Sequence, residues 1–434
     1  MSSSSKWEWS ELGKEAINAS RSFSFKTHPY VVFVNTGDVL TGKFLHSTVS
    51  VGKDLPGQAK KALRKNDILL TEIRPANGRF AYVDFEAEKY VVSTKFMVIE
   101  SKGRVLPRFL YHVLTNQISL DEFQRVAESR SGTFPQITFD SIAHFPIPIP
   151  PISEQASLVS LFDNWQLRID LLRETNATLE AIAQALFKSW FVDFAPVRAK
   201  MEGRSPDGMD ETTAALFPDI FEETEQGLMP KGWKWSTLAD AYEINPQRKV
   251  KKGDITPYLD MANAPTKGHG AESIVPREMG SGSKFMNGDT LLARITPCLE
   301  NGKTAFVDFL DDDQKGWGST EFIVLHPKKP LPEYHAYLLA RHQSFRDFAI
   351  QSMSGTSGRQ RIQNDVLGSY LLALPSEKVA TLFGDIVTPI QQRVTANNTQ
   401  AQTLATLRDT LLPRLISGQL RLPEAILEIN EELA

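Results

Sequence analysis

NDILLTEIRPANGRFAYVDF (residues 66–85) is answered more than two hundred residues later by GDTLLARITPCLENGKTAFVDF (288–309). Each phrase is an apolar run, a turn rich in Pro, Asn and Gly, and a second apolar run, the pattern of strand–turn–strand. The echo continues outward in the same order. VVSTKFMVI (91–99) returns as WGSTEFIVL (317–325), SRSGTFPQI (129–137) as SMSGTSGRQRI (352–362), and FPIPIPPISEQ (145–155), more loosely, as YLLALPSEKV (370–379). Four matches in one order, at nearly constant offset, mean that the chain is a tandem duplication. The repeated unit is too long for a solenoid and right for a domain.

Each unit has a mixed part and a helical part. Short apolar runs at 30–34, 68–73, 80–85 and 95–99 predict strands, and a helical piece at 109–128 is matched at 333–350. After the stop FPIPIPP, with Ser153 as the expected N-cap, Leu158, Trp165, Leu172, Leu179 and Leu186 recur every seven residues. Leu161 and Ile182 are expected to fill the seam between them, with Phe162, Ile169 and Ala183 on its flank. In the second copy Phe383, Ile390, Asn397, Leu404 and Leu411 hold the same frame, with Ile386 and Leu407 between them. The two helices are expected to pack on each other, each hiding a seam it cannot bury alone. Pro389 and Pro413 predict a late start or kink in the second helix and a break near its end. At ~1.5 Å per residue the first helix spans roughly 55 Å. Duplex DNA repeats every ~34 Å. Two domains related by a pseudo-twofold on such a spacer would suit a split target.

The chain has 434 residues, enough for two or three domains, with 41% hydrophobic and 23% charged residues. No apolar run approaches the ~20 residues of a membrane span. MSSSSKWEWS lacks a signal-peptide layout, and a lone Cys298 suggests a reducing compartment, so a cytoplasmic location is expected. The net charge of −4 is unevenly spread: residues 199–226 carry −6 and the tail from Arg421 carries −3, which leaves the remainder at +5. Residues 41–79 hold eight Lys or Arg against three acids, the balance phosphate attraction requires.

Signatures of catalysis are missing. Asn245-Pro246-Gln247-Arg248 resembles the Asn-Pro-Pro-aromatic motif of amino-methyltransferases, but Gln247 and Arg248 replace the residues that would support a flipped adenine. The GSGS at 280–283 has neither the spacing nor the setting of a cofactor loop. Gly302-Lys303-Thr304 ends like a P-loop, but Pro297 stands where its first glycine belongs. His335 and His342 lie seven apart, not the four of a zinc pair, and no metal site is expected. Asp311-Asp312-Asp313 reads as a solvated turn.

LFKSWFVDFAPVRAKMEG (186–203) and FPDIFEETEQGLMPKGWKWSTL (217–238) closely resemble the central region of the specificity subunit of type I restriction-modification systems, and LRDTLLPRLISGQL (407–420) resembles its distal region. The resemblance covers nearly the whole chain. It implies an α+β chain with two α/β target-recognition domains in tandem, each followed by a long helix, the helices pairing as an antiparallel coiled coil. The expected layout is recognition domains at 1–150 and 232–375, helical spacers at 151–195 and 376–420, an acidic linker at 196–231 and an acidic tail at 421–434. Such a subunit reads a bipartite double-stranded DNA target and catalyses nothing itself. The implied partners are two modification subunits, which methylate adenine, and two motor-nuclease restriction subunits. No cofactor is expected on this chain. S-adenosylmethionine, ATP and Mg are expected on the partners.

Base contacts come most often from Arg or Lys to guanine and Asn or Gln to adenine. In the first domain Arg74, Asn77 and Arg79 are the candidates, with Lys43, Lys60, Lys61 and Arg64 for phosphates and Ser131, Gly132, Thr133 and Gln136 as further donors. Their counterparts are Arg294, Asn301, Lys303, Ser354, Gly355, Thr356, Arg359, Gln360 and Arg361. Two domains that read different half-sites should differ where they touch bases. That logic favours 134–136 and 357–361 over the shared Ser-Gly-Thr turn. Trp190, Phe191 and Phe194 are expected either in the core or as a docking surface for a modification subunit. The competing readings are a stand-alone methyltransferase or nuclease, and a two-headed scaffold without salt-sensitive DNA binding.

Overall fold

The structure, a computed structural model, describes residues 7–129, 135–271, 273–356 and 358–425. The chain divides into two compact units, Met1–Ile169 with Gln402–Ala434, and Asp170–Ala401.

The duplicated phrase forms the middle of a core sheet in each unit. In the first, Ala16–Asn18, Phe96–Ser101, Ile68–Thr71 and Phe80–Tyr82 lie side by side, all antiparallel. The second repeats this order with Tyr242–Ile244, Phe322–Pro327, Thr290–Ala293 and Thr304–Phe306. Even the register recurs, with Ile99 opposite Asn18 and Leu325 opposite Ile244. Ile68, Leu69 and Leu70 are wholly buried, as are Leu291 and Leu292. A strand covered on both faces is written as a continuous apolar run, which is why ILL and LLA do not alternate.

A second sheet in each unit keeps one parallel pair. Tyr30–Val34 lies beside Tyr90–Ser93 in the first, and Ile255–Leu259 beside Gly316–Gly318 in the second. Two-stranded ribbons join the start of each domain to its end: Glu8–Glu11 with Pro146–Ile149, and Lys234–Thr237 with Leu371–Leu374. The single helix expected at 109–128 is two, Pro107–Thr115 and Gln117–Ser129. Asn116 breaks it: its backbone turns extended, and its side chain bonds Val113 O at 2.7 Å and accepts Ser119 N–H at 3.1 Å. His342 makes the same break between Tyr334–Arg341 and Gln343–Gln351.

The central helix runs over Ile152–Phe187 and the distal helix over Glu377–Ile416. Ser153 sits inside the first turn and does not cap it, since Pro151 O already accepts from Glu154 and Gln155 N–H. The distal helix is continuous through both prolines, against the expected late start and break. Pro389 lies on the exposed side, where its missing N–H costs one bond, while Phe383, Val387 and Val394 stay buried on the other.

The seam also differs from the expected one. Leu158, Trp165 and Leu172 are buried, but their companions are Phe162, Ile169, Asn176, Ala183 and Trp190, whereas Ile182 is 46% exposed and Leu161 half-buried. In the distal helix the companions are Ala380, Val387, Val394, Ala401 and Leu415, not Ile386 and Leu407. The helices are antiparallel within each unit. Glu154 meets Arg421 and Gln166 meets Arg408 in the first, while Asn176 meets Asn397 and Trp190 meets Phe383 in the second. Asn176 and Asn397, both buried, bond at 2.8 Å. A polar pair in an apolar seam is satisfied at one register only, so it specifies alignment at some cost in stability.

Residues 196–231, expected as a linker, are packed structure. They carry the helix Ala195–Met201, the short helix Glu211–Ala215 and the hairpin of Phe221–Thr224 with Gly227–Pro230. Val197, Phe217 and Met229 are buried in the second unit's core. The acidic side chains lie on the outside of this layer, so charge alone misled the reading. Arg421, at the start of the expected tail, bonds Glu154 at 3.0 Å.

Candidate nucleic-acid interface

At one end of each core sheet the turn of the repeated phrase meets a second segment of chain. In the first unit Arg74 N–H bonds Pro135 O at 3.1 Å and Ile137 N–H bonds Glu72 O at 2.8 Å. In the second unit Thr296 N–H bonds Gln360 O and Ile362 N–H bonds Arg294 O, both at 3.0 Å. The turn is eight residues long in the first unit (72–79) and ten in the second (294–303), counted between flanking strands. Beside the longer turn stands a small hairpin in which Ser354 and Arg361 exchange backbone bonds of 3.0 and 2.9 Å. Gly355 and Gly358 both take positive φ at its tip, which a side chain would oppose.

These segments present Arg74, Asn77 and Gln136 in one unit, and Asn301, Thr356, Gly355 and Arg359 in the other, all exposed. Arg74 holds a left-handed backbone, φ 47°, at the entrance to the 3-10 turn Pro75–Asn77. A non-glycine residue there costs on the order of 1 kcal/mol. Lys43, Lys60 and Arg64 are exposed on the same unit's strands and turns. Ser131, Gly132 and Thr133 lie outside the described residues.

Other candidates are tied into the protein. Arg79 donates from Nη1 to Gly37 O (3.0 Å) and Val39 O (2.9 Å). Lys303, its counterpart in the repeat, donates from Nζ to Met261 O (2.6 Å) and Ala262 O (2.9 Å). Both cations staple the 3-10 turn that follows the second sheet's first strand, Thr36–Asp38 and Met261–Asn263. They hold the scaffold. Arg294 bonds Ile362 O at 2.8 Å and Gln363 Oε1 at 3.2 Å. Arg361 forms a bidentate pair with Glu321, which holds that carboxyl below its ordinary pKa range. Lys61 is half-buried and donates to Phe96 O. Burial pushes its pKa down, a poor state for a phosphate contact. Gln360 is half-buried, its N–H on Thr296 Oγ1 at 3.1 Å.

The aromatic stretch is interior too. Trp190 packs on Phe217 at 4.9 Å, Phe191 on Phe383 at 4.7 Å and Phe194 on Trp233 at 5.8 Å, and all three rings are buried. The docking surface expected there is replaced by the core of the second unit.

A repeated charge cluster escaped the sequence reading. Asp67 is buried and paired with Arg21, which also bonds Glu100 at 2.5 Å. In the second unit buried Asp289 pairs with Arg248 at 2.8 Å and His326 at 2.9 Å. Burial raises the Asp67 carboxyl, while the bond to Asp289 raises His326. The signal stood in the opening phrases, as the aspartate of NDILL and GDTLL. Neither unit gathers three or more His, Cys, Asp or Glu side chains fit to hold a metal among the described residues. No described helix is long and apolar enough to cross a membrane.

Comparison with known proteins agrees with this architecture. Residues 7–181 match the family described as the type I restriction modification DNA specificity domain. The HindI specificity subunit of Haemophilus influenzae is 34% identical over 96% of this chain and 100% of its own length. The MjaIX specificity subunit of Methanocaldococcus jannaschii is 23% identical over 83% of this chain and 79% of its own. The S subunit structure from M. genitalium superposes with a TM-score of 0.57 at 13% identity, covering 96% of this chain and 97% of that one, so the fold is shared. With one-third identity along essentially its whole length to a specificity subunit, and a family-model match over residues 7–181, the chain belongs to the specificity subunits of type I restriction enzymes.

Proposed function

We propose that this chain selects a split sequence in double-stranded DNA, each recognition domain taking one half-site in the major groove. It leaves methylation and cleavage to partner subunits. The observation that carries the reading is the pair of equivalent sheet ends, built on one scaffold yet presenting different exposed side chains. Arg74 and Arg359 have the donors to take guanine O6 and N7. Asn77, Gln136 and Asn301 have the paired donor and acceptor that suit adenine N6 and N7. Lys43, Lys60 and Arg64 suit phosphates, which position the protein without reading sequence.

The paired helices join the two domains in one chain and would set the gap between half-sites. Two modification subunits carrying S-adenosylmethionine, and two motor-nuclease subunits using ATP and Mg, complete the cytoplasmic assembly in this reading. Co-expression with the modification subunit, followed by genome-wide mapping of adenine methylation, tests it. The expected result is one motif of two short specified halves around a fixed unspecified gap. A stable, methyl-donor-binding complex that methylates nothing would contradict it and favour the scaffold reading.

A further inference from the structure

The second unit carries a basic feature that none of the proposed contacts uses. Chain leaving the first core strand, Tyr242–Ile244, runs through Asn245-Pro246-Gln247-Arg248 and then Lys249, Lys251 and Lys252, three exposed lysines. With residues 282–284 and Val324 the first four enclose a cavity of about 400 Å³. Gly282 forms part of its wall and cannot be anything larger: a Cβ there would stand 2.0 Å from Gly318 O.

The lining is rich in donors. Lys284 is half-buried, its Nζ 3.3 Å from Val250 O. Arg248 gives one nitrogen to Asp289, while its Nε is buried without a partner among the described residues. Asp289 is shared between Arg248 and His326, so its charge is already answered, and Lys284 lines the cavity without a carboxylate of its own in that lining. A cavity with cationic and amide donors but no acid in its lining suits a compact anion.

Register places the cavity on the sheet that carries the turn 294–303. In the core sheet Ile244 lies opposite Leu325, which lies opposite Thr290, while Ala293 lies opposite Phe322, so the chain that builds the cavity leaves the middle of the sheet. The turn 294–303 leaves from the Ala293 end, and the cavity lies on the same sheet, lined by Val324. The first unit is built otherwise at this place: Phe23 and Phe25 meet at a tilt with ring centroids 5.0 Å apart and close an apolar cluster with Val31, Ala59 and Val91.

We propose that this cavity is a phosphate-binding site peculiar to the second recognition domain, taking a backbone phosphate of the DNA that this domain reads. The inference rests on the DNA-reading function proposed above. Lys284 and the Arg248 Nε would hold the phosphate oxygens, with Lys249 and Lys251 at the rim drawing the strand in. A site of this kind fixes register and carries no sequence information.

The test uses the complex assembled with its modification subunits, titrated with matched and unmatched duplexes across a salt series. Lys284→Gln, and separately the double variant Lys249→Gln/Lys251→Gln, should weaken both duplexes by the same factor, on the order of threefold to tenfold at 0.1 M salt. The slope of log K against log salt should become shallower by about 0.9 per phosphate lost, with the methylated motif unchanged. A loss confined to the matched duplex would mean a base contact and overturn the proposal. Inorganic phosphate alone, followed by its ³¹P line width, separates the other source. Broadening abolished by Lys284→Gln, with duplex affinity intact, would assign the cavity to a free phosphate group and remove DNA as its ligand. No change in either arm overturns the site altogether. A wild-type complex with no salt-sensitive duplex binding would instead defeat the proposed function, and the phosphate arm would still decide the cavity.

Discussion

The two recognition domains share sheet order, register, ribbon and helix pair, yet they part at three places. The turn of the repeated phrase is two residues longer in the second. The chain after the first core strand packs phenylalanines in the first domain and strings lysines in the second. The third member of the charge cluster is Glu100 in one and His326 in the other. What both domains keep is what holds the backbone, including cations such as Arg79 and Lys303 that look like DNA contacts in the sequence. Duplication preserved the frame and left these places free to diverge.

The largest expected effect tests the shared frame. Leu69→Ala and Leu291→Ala remove equivalent, fully buried side chains, and each should cost its own unit about 2–5 kcal/mol in thermal or denaturant unfolding. Similar losses support equivalence, and a several-fold disparity would break it. Next are the staples. Arg79→Ala and Lys303→Ala should each lose about 1–2 kcal/mol, because carbonyls of the 3-10 turn lose a charged donor, without altering the methylated motif. A changed motif would return these residues to the interface. Arg359→Ala should do the reverse, leaving unfolding within about 0.5 kcal/mol of wild type and relaxing one position of one half-site.

The smallest effect is in pH, and it should be confined to the second domain. Its bond to Asp289 raises His326 above the ordinary histidine value. That stabilisation is fully present below the unfolded pKa near 6.5 and fades as pH rises through the higher folded value. The stability gap between wild type and His326→Gln should therefore be widest near pH 6 and close toward pH 9. Buried His335, pushed down to about 3, destabilises both proteins alike in acid, so only the difference is diagnostic. A constant gap would show that the histidine acts through packing alone.

Much of the frame was legible because it is local or periodic. ILL and LLA announce buried strands, and Leu158, Trp165 and Leu172 announce a helix seam. The companion seam was read only as a flank, Phe162, Ile169 and Ala183, because its member Asn176 is polar and breaks the apolar signal. Arg79 could not be sorted from a DNA contact, since its acceptors are main-chain carbonyls forty residues away, which leave no mark in the sequence. Trp190 read equally as core or interface until Phe217 and Phe383, distant in the chain, closed over it. At the turn end of the sheet, exposed Arg, Asn and Gln have no periodicity, and only their place beside the turn singles them out.

The most direct test of the central claim is the methylation map of a chimera. Residues 1–150 are exchanged for the corresponding domain of a relative, and the chain is assembled with the same modification subunits. If each domain reads one half-site from a common frame, one half of the methylated motif changes while the other half and the gap stay as in wild type. Alteration of both halves, or of neither, in a fully assembled complex would contradict it.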